Sequence, residues 1–340
     1  VKKHVFSIIG CQHAHIDRFI QEMLELGHEC AGIYDPNPAG IAETVADKYG
    51  VSLVSSMEDM LAPEIDIVGC AAINNQKIDI VEICERKGKH IMVDKPIVTC
   101  RSDYHRLEML SRRRIIQIGM LLTERFSPPV YTLKKQIERG TFGRIVSIGM
   151  RKPHLLSSNE RPHWFFSKEQ SGGILIDLLI HDFDLLRWLT GSEVVGSEGY
   201  LAKNILPEHT TFYDMVGLQV LLENGITAQL YADWHTPLSS WTWGDCRIFV
   251  SGTEGSAELR LTGDPFVSRK PLYMHVTNQE APSIMEVAAP PCTITEDFLN
   301  RIHGKKSILD AEDILAATLA TIEADERVNV INLSERGQVR

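Results

Sequence analysis

The chain has 340 residues, a formal net charge of −10 and a pI of about 5.7, with 44% hydrophobic and 24% charged residues. That balance suits two globular domains with a sizeable core. The acidic surplus without basic runs excludes a general nucleic-acid or anionic-membrane binder, and no apolar run approaches the ~20 residues of a membrane span.

Residues His4–Ile9 form a short β-prone run that ends at Gly10. The opening VKKHVFSIIG therefore reads as a first strand and not as a signal peptide. A helical pattern follows from about His15 to Leu26, then a second run, Cys30–Tyr34, ending at Asp35, and a helix over about Pro38–Tyr49. Further apolar runs lie at Ser52–Val54, Ile65–Cys70, His90–Val93 and Ile115–Met120, with helical patterns at Lys77–Lys87 and Asp103–Arg112. Strands alternating with helices imply βαβ units and a parallel sheet, so residues 1–120 read as a Rossmann-type dinucleotide-binding domain. Seven cysteines are scattered, odd in number and without a CxxC pair, which points to reduced thiols and a cytoplasmic protein.

The loop after the first strand is Gly10-Cys11-Gln12-His13-Ala14-His15. A dinucleotide fingerprint wants glycine at its first, third and sixth positions; Gly10 matches, while Gln12 and His15 stand in for the others. Asp35 ends the second strand, where a carboxylate accepts ribose hydroxyls and repels a 2′-phosphate; a plain turn residue before Pro36-Asn37 is the other reading. His13 and His15 can also serve only to cap the following helix. Gly88–Pro96, GKHIMVDKP, places Lys95 just past the carboxyl end of a strand, the edge at which open α/β sheets bind ligands. Most such lysines are simply solvated.

In the second half, Ser127–Arg139 reads as a helix ending at Gly140, and Gly143–Met150 begins a strand. A long loop, Lys152–Gln170, carries His154, Arg161, His163, Trp164 and two phenylalanines, suited either to a polyol or to anchoring the loop. The stretch Gly172–Gly191, GGILIDLLIHDFDLLRWLTG, is a helix between glycines. Asp177, His181 and Asp184 fall on one stripe at i, i+4 and i+7. The stripe is either a solvated face or a carboxylate and an imidazole held over a substrate. Strand-like runs follow at Val194–Ala202, Asp214–Leu222, Thr227–Asp233, Arg247–Ser251 and Ala257–Arg260, with a hairpin signal at Glu223-Asn224-Gly225, and then a helical run at Asp310–Asp325. Residues 121–340 read as an α+β domain with a mostly antiparallel open sheet and helices on one face, whose final helix is able to return to the first domain. No HExxH-like or cysteine-rich pattern supports metal ligation by Asp177, His181 and His154, and no metal is expected.

Taken together, Gly10, Asp35, GKHIMVDKP at 88–96, RFSP at 125–128, ERGTFGRI at 138–145, GGILIDLLIHDFDLLRWLTG and SGTEGSAEL at 251–259 resemble the glucose–fructose oxidoreductase / inositol dehydrogenase / MocA (Gfo/Idh/MocA) family over nearly the whole chain. The family's EKP motif appears as Asp94-Lys95-Pro96 and its DxxxH motif as Asp177 and His181. Two departures stand out: the glycine loop is a GxxHxHI variant, and AAINNQK (71–77) replaces a TPNxxH-like stretch, with Lys77 at the histidine position.

The resemblance implies hydride transfer between NAD and a secondary alcohol of a sugar, inositol or related polyol. It makes His181 the base, Asp177 the group that orients the substrate or stabilises the imidazolium, and Lys95 the donor to the reacting oxygen. It places the cofactor on Gly10, Gln12, His13, Asp35, Ala72, Asn74, Asp94 and Lys95, and the substrate on Arg125, His154, Trp164 and Asp184. NAD is expected over NADP, and a homo-dimer or homo-tetramer through the second sheet. Two other readings stay open: glycoside cleavage with transient oxidation by bound NAD, and a non-catalytic nucleotide-binding or regulatory protein.

Overall fold

The computed structural model describes residues 3–36 and 40–332. In chain order the first elements are β1 (Val5–Cys11), α1 (Ile16–Glu25), β2 (Glu29–Tyr34), α2 (Ile41–Tyr49), β3 (Ile67–Ala71), α3 (Lys77–Lys87), β4 (His90–Val93), α4 (Arg101–Arg113) and β5 (Ile118–Met120). The next are α5 (Pro128–Glu138), β6 (Ile145–Pro153), α6 (Lys168–Ser171), α7 (Gly173–Thr190), β7 (Val194–Lys203), β8 (Met215–Leu222), β9 (Thr227–Asp233), β10 (Arg247–Gly252), β11 (Gly255–Arg260), β12 (Leu272–Thr277) and β13 (Ser283–Ile284). The chain closes with α8 (Ile294–Ile302), α9 (Ala311–Arg327) and β14 (Asn329–Asn332). The start of the second expected helix, at Pro38, lies outside the described residues.

Two compact units emerge. Unit 1 comprises residues 1–122, 169–172 and 292–319; unit 2 comprises 123–168, 173–291 and 320–340. In unit 1 the described strands form a parallel sheet in the order β2-β1-β3-β4-β5. Its strands read as continuous apolar runs because helices cover both faces of such a sheet; β3 is buried at every residue. Ser52–Val54, expected as a strand, makes only one bridge, Ile33 to Leu53. Its Leu53 is exposed, and two backbone hydrogen bonds with Ile33 hold the segment, from Ile33 N to Ser52 O at 2.9 Å and from Val54 N to Ile33 O at 2.8 Å.

Unit 2 carries a sheet ordered β13-β12-β11-β10-β6-β9-β8-β7-β14. It is mostly antiparallel, with β6–β9 and β7–β14 parallel. Burial alternates along β8, β9 and β10, so one face is packed and the other open. Helix α7 packs on the covered face, against β6, β8 and β9. Its boundaries follow the glycines: Gly172, Gly173 and Gly191 all have positive φ, which glycine adopts without steric cost.

Strand β12 and helix α8 were not read from the sequence. Helix α8 does announce itself: Thr293 accepts the Glu296 N–H while the Glu296 carboxylate accepts the Thr293 N–H, a full capping box written as Thr-Ile-Thr-Glu.

Candidate functional site

In unit 1 the chemistry-bearing residues gather at the carboxyl edge of the parallel sheet. Gly10 has φ +80°, and a Cβ there would lie 2.6 Å from Cα and Cβ of Ala72. Only glycine lets the loop after β1 lie against the chain leaving β3, which is the part of the nucleotide fingerprint that has been kept. The Asp35 carboxylate accepts the Cys11 N–H at 2.6 Å and the Gln12 side-chain amide at 2.9 Å. Gln12 is thus not a neutral replacement for glycine: it ties the loop to the end of β2. Burial, with Asp35 and Asp17 nearby, pushes the Cys11 thiol up to about 12, so it is an inert thiol.

Beside this loop stands a residue the sequence reading undervalued. Lys77 is fully buried, and its ammonium donates to the carbonyls of Asp94 at 2.9 Å, Pro96 at 3.2 Å and Lys95 at 3.4 Å. It also lies 3.9 Å from the Asp94 carboxylate. One cation therefore fixes the backbone of all three residues of the Asp94-Lys95-Pro96 motif. Asp94 is itself fully buried. Burial alone would raise its pKa, but His15, Lys77 and His13 hold it well below the usual carboxylate range. Asn74, expected at the cofactor, donates to the Ser171 carbonyl at 2.8 Å and is buried, as is Ala72.

In unit 2 the polar stripe of α7 is not a solvated face. Asp177 and His181 are 7% and 8% exposed and Asp184 is 1% exposed. Asp184 is spent on Arg125, whose Nε and Nη2 donate to its two oxygens at 2.9 and 2.6 Å. The pair is buried on both sides, and these two residues, expected at the substrate, tie the segment before α5 to α7. Trp164 is buried, and His154 lies edge-on to Trp234 at 5.6 Å. Arg161 fills the centre of this loop, its guanidinium 4.4 Å from Phe165, 5.3 Å from Trp243 and 5.5 Å from Trp234. Phe165 of the loop, with Trp234 and Trp243 from beyond it, thus surrounds one cation.

A second buried network was invisible in sequence. Lys152, at the end of β6, pairs with Glu124 and lies 3.6 Å from Asp182 on α7. Burial raises the Asp182 carboxyl to about 7; Lys152 opposes the rise and Glu124 adds to it. A carboxyl held above its unfolded value of about 3.9 keeps a proton in the fold that the unfolded chain has released. Its favourable contribution is whole below about pH 4 and is lost as pH rises toward about 7, at up to about 1.4 kcal/mol per pH unit. Asp182→Asn should flatten the stability profile over that window in a pH series of urea midpoints. Equal slopes in the two proteins would remove Asp182 as its source.

These two units match known proteins in the same order. Residues 5–116 match the oxidoreductase family with an NAD-binding Rossmann fold, and residues 130–258 match the Gfo/Idh/MocA C-terminal domain. The chain is 25% identical over 257 residues to a myo-inositol dehydrogenase of Streptomyces leeuwenhoekii, covering 75% of this chain and 74% of that one. It is 26% identical over 270 residues to a scyllo-inositol 2-dehydrogenase (NAD(+)) of Bacillus subtilis, covering 78% and 71%. Among solved structures, one from Erwinia carotovora atroseptica superposes with a TM-score of 0.88 at 26% identity, over 97% of this chain and all of that one. A levoglucosan dehydrogenase in complex with NADH superposes with a TM-score of 0.80 at 19% identity, over 96% and 97%. The chain belongs to the Gfo/Idh/MocA family and is an NAD-binding oxidoreductase of that family.

Proposed function

We propose that the chain is an NAD-dependent dehydrogenase acting on a secondary alcohol of a sugar, inositol or related polyol. The observation that carries this reading is the Lys77 knot, which pins the backbone of Asp94, Lys95 and Pro96 at the carboxyl edge of β4. Ligands of open α/β sheets bind at that edge, and inositol dehydrogenases stand among the relatives.

The glycine cradle at Gly10 and the carboxylate of Asp35 fit a dinucleotide. Gly10, Gln12, His13, Asp35, Ala72, Asn74, Asp94 and Lys95 would hold it. NAD, when bound, supplies the acceptor for the hydride that the alcohol carbon loses. The alcohol also loses a proton, which His181 takes at a ring nitrogen, since imidazole titrates near neutrality. Asp177, one turn earlier on α7, orients that ring and stabilises its protonated form. Lys95 donates to the reacting oxygen and stabilises its alkoxide character. His154 and Trp164 contribute to the polyol contact. The open face of the second sheet, with Val195, Tyr200, Leu221 and Phe249 exposed, supports pairing of copies as a dimer or tetramer. Seven free cysteines support a reducing, cytoplasmic setting. Among the described residues no helix is long and apolar enough to cross a membrane.

Calorimetry with both nucleotides tests the cofactor. Asp35 presents a carboxylate to a 2′-phosphate, and a lost or repelled charge contact costs a few kcal/mol. At 1.4 kcal/mol per decade, NAD should bind at least about tenfold more tightly than NADP, and Asp35→Ser should narrow the gap. Tighter binding of NADP would overturn the role of Asp35. No binding of either nucleotide at millimolar concentration would overturn the dehydrogenase reading.

A further inference from the structure

The loop after β1 carries two imidazoles, and the end of β4, 79 residues beyond His15, brings a carboxylate to both. His15 Nδ1 lies 3.1 Å from Asp94 Oδ1, and His13 Nδ1 lies 3.4 Å from Asp94 Oδ2. One donor atom from each residue falls within 4.8 Å of the other two. We propose that His13, His15 and Asp94 form a binding site for a divalent transition-metal ion of the Zn2+ type.

Three observations carry this. The first is spacing. Ligands at 2.0–2.1 Å around a tetrahedral zinc ion stand about 3.3 Å apart; each ring nitrogen lies within 3.4 Å of an Asp94 oxygen, and one donor from each residue falls within 4.8 Å of the others, so small side-chain adjustments bring the three to that spacing. The second is the carboxylate. Asp94 is wholly buried, yet its Oδ2 makes no hydrogen bond among the described residues. Such an atom is costly to bury without a strong partner. The third is the pairing of the rings. His13 and His15 lie with their centroids 4.0 Å apart, so both imidazoles face the same carboxylate, and a metal ion takes both rings neutral. Imidazole with carboxylate is a donor set for zinc and its neighbours, and is too nitrogen-rich for Ca2+ or Mg2+.

Access and charge are consistent with the site. The side chain of His15 is 49% exposed and that of His13 20% exposed, so an ion has a route in from solvent. The remaining charged neighbour is Lys77, 3.9 Å from Asp94 Oδ2, which lowers the affinity for a cation without closing the site. With three protein ligands, the fourth position is left to water or to a phosphate oxygen. The site shares His13 and Asp94 with the residues proposed to hold the nucleotide, so metal binding is tested in the absence of nucleotide.

The test uses the full chain stripped of metal by chelator. Zn2+ is titrated by calorimetry and Co2+ by visible absorption, both in the absence of nucleotide. One Zn2+ per chain at micromolar affinity or tighter is expected, with the intense absorption of four-coordinate Co2+. Loss of partners that only orient ligands costs about 10–100-fold in affinity, so His15→Gln and His13→Gln should each weaken binding by about a hundredfold or more. Both side chains are part-exposed, so the variants should fold; circular dichroism and a urea unfolding curve of the same metal-free proteins check this separately. His303→Gln, in the other histidine cluster of unit 1, should leave the affinity unchanged. The proposal is overturned if the wild-type chain binds no Zn2+ at up to 100 µM (about a hundredfold above the expected range). It is equally overturned if the His13→Gln/His15→Gln double variant binds as the wild type does.

Discussion

Lys95→Ala and His181→Ala should each lower kcat by about a thousandfold while NAD still binds, more weakly in Lys95→Ala because Lys95 also holds the nucleotide. The magnitude follows from the proposed roles: a general base contributes about 10²–10⁴-fold, and a donor to a developing oxyanion about 10²–10³-fold. Asp177→Ala should cost less, about tenfold to a hundredfold, because it acts through the His181 ring. Steady-state NADH formation on a panel of inositols, aldoses and polyols reads the rates, and calorimetry reads nucleotide affinity. A histidine variant keeps a second signature. If His181 is the base, the acidic limb of the pH–rate profile should vanish with it. If both the lysine and the histidine variants retain near-normal turnover on the preferred substrate, the site assignment is wrong. If instead both lose NAD binding as well, the residues act in folding and not in chemistry.

Arg125→Ala should cost about 3–5 kcal/mol of stability, the scale for leaving a buried charge without its partner. The fork of Arg125 donates twice to Asp184, and both side chains are shut off from water. The guanidinium also lies 5.5 Å from the Trp188 ring, so its removal takes away packing as well as charge. Replacing both partners with apolar residues of similar volume, Arg125→Met with Asp184→Leu, should recover most of that loss, since a buried ion pair and a well-packed apolar pair are often close in energy. Urea unfolding of the single and double variants measures both numbers. A loss below about 1 kcal/mol for Arg125→Ala would place the pair among the weak, solvent-screened ion pairs.

The sequence was most legible where a single local rule governs the outcome. Parallel strands buried on both faces read as apolar runs, so β1 to β5 were visible as a set, and glycine at positive φ marked both ends of α7. Asp35 and Lys95 stand out in sequence only as strand-end residues, the positions at which α/β sheets present ligand-binding groups. The buried polar pairs were not, and the reason is common to them. Arg125 and Asp184 are 59 residues apart, Lys152 and Glu124 are 28 apart, and His15 and Asp94 are 79 apart. A lone charged residue on a helix or strand reads as solvated until its partner is known. Lys77 is the clearest case: at the first turn of α3 it looks like a surface lysine, yet its targets are backbone carbonyls, which no side-chain pattern reveals. For Asp184, the spacing that puts it in line with His181 says nothing about the Arg125 guanidinium it meets. Arg161 and Phe165 share one loop and are visible together in sequence, but Trp234 and Trp243, which complete the ring of aromatics around the guanidinium, come from more than 70 residues on.

The late return of the chain to unit 1 has a consequence for how the protein is made. Helix α8 caps the parallel sheet from residues near 300: Thr295 N–H reaches the Glu22 carboxylate, Arg301 donates to the Ile118 carbonyl, and His303 meets His4, 299 positions earlier. The nascent amino-terminal half therefore emerges from the ribosome with its β5 edge and the outer side of α1 still bare. It must wait, while the whole second unit is synthesised, for the segment that seals it. At about 5–20 residues per second, that exposure lasts on the order of ten seconds or more, during which apolar side chains meant for α8 stand open to chaperones and to neighbouring chains.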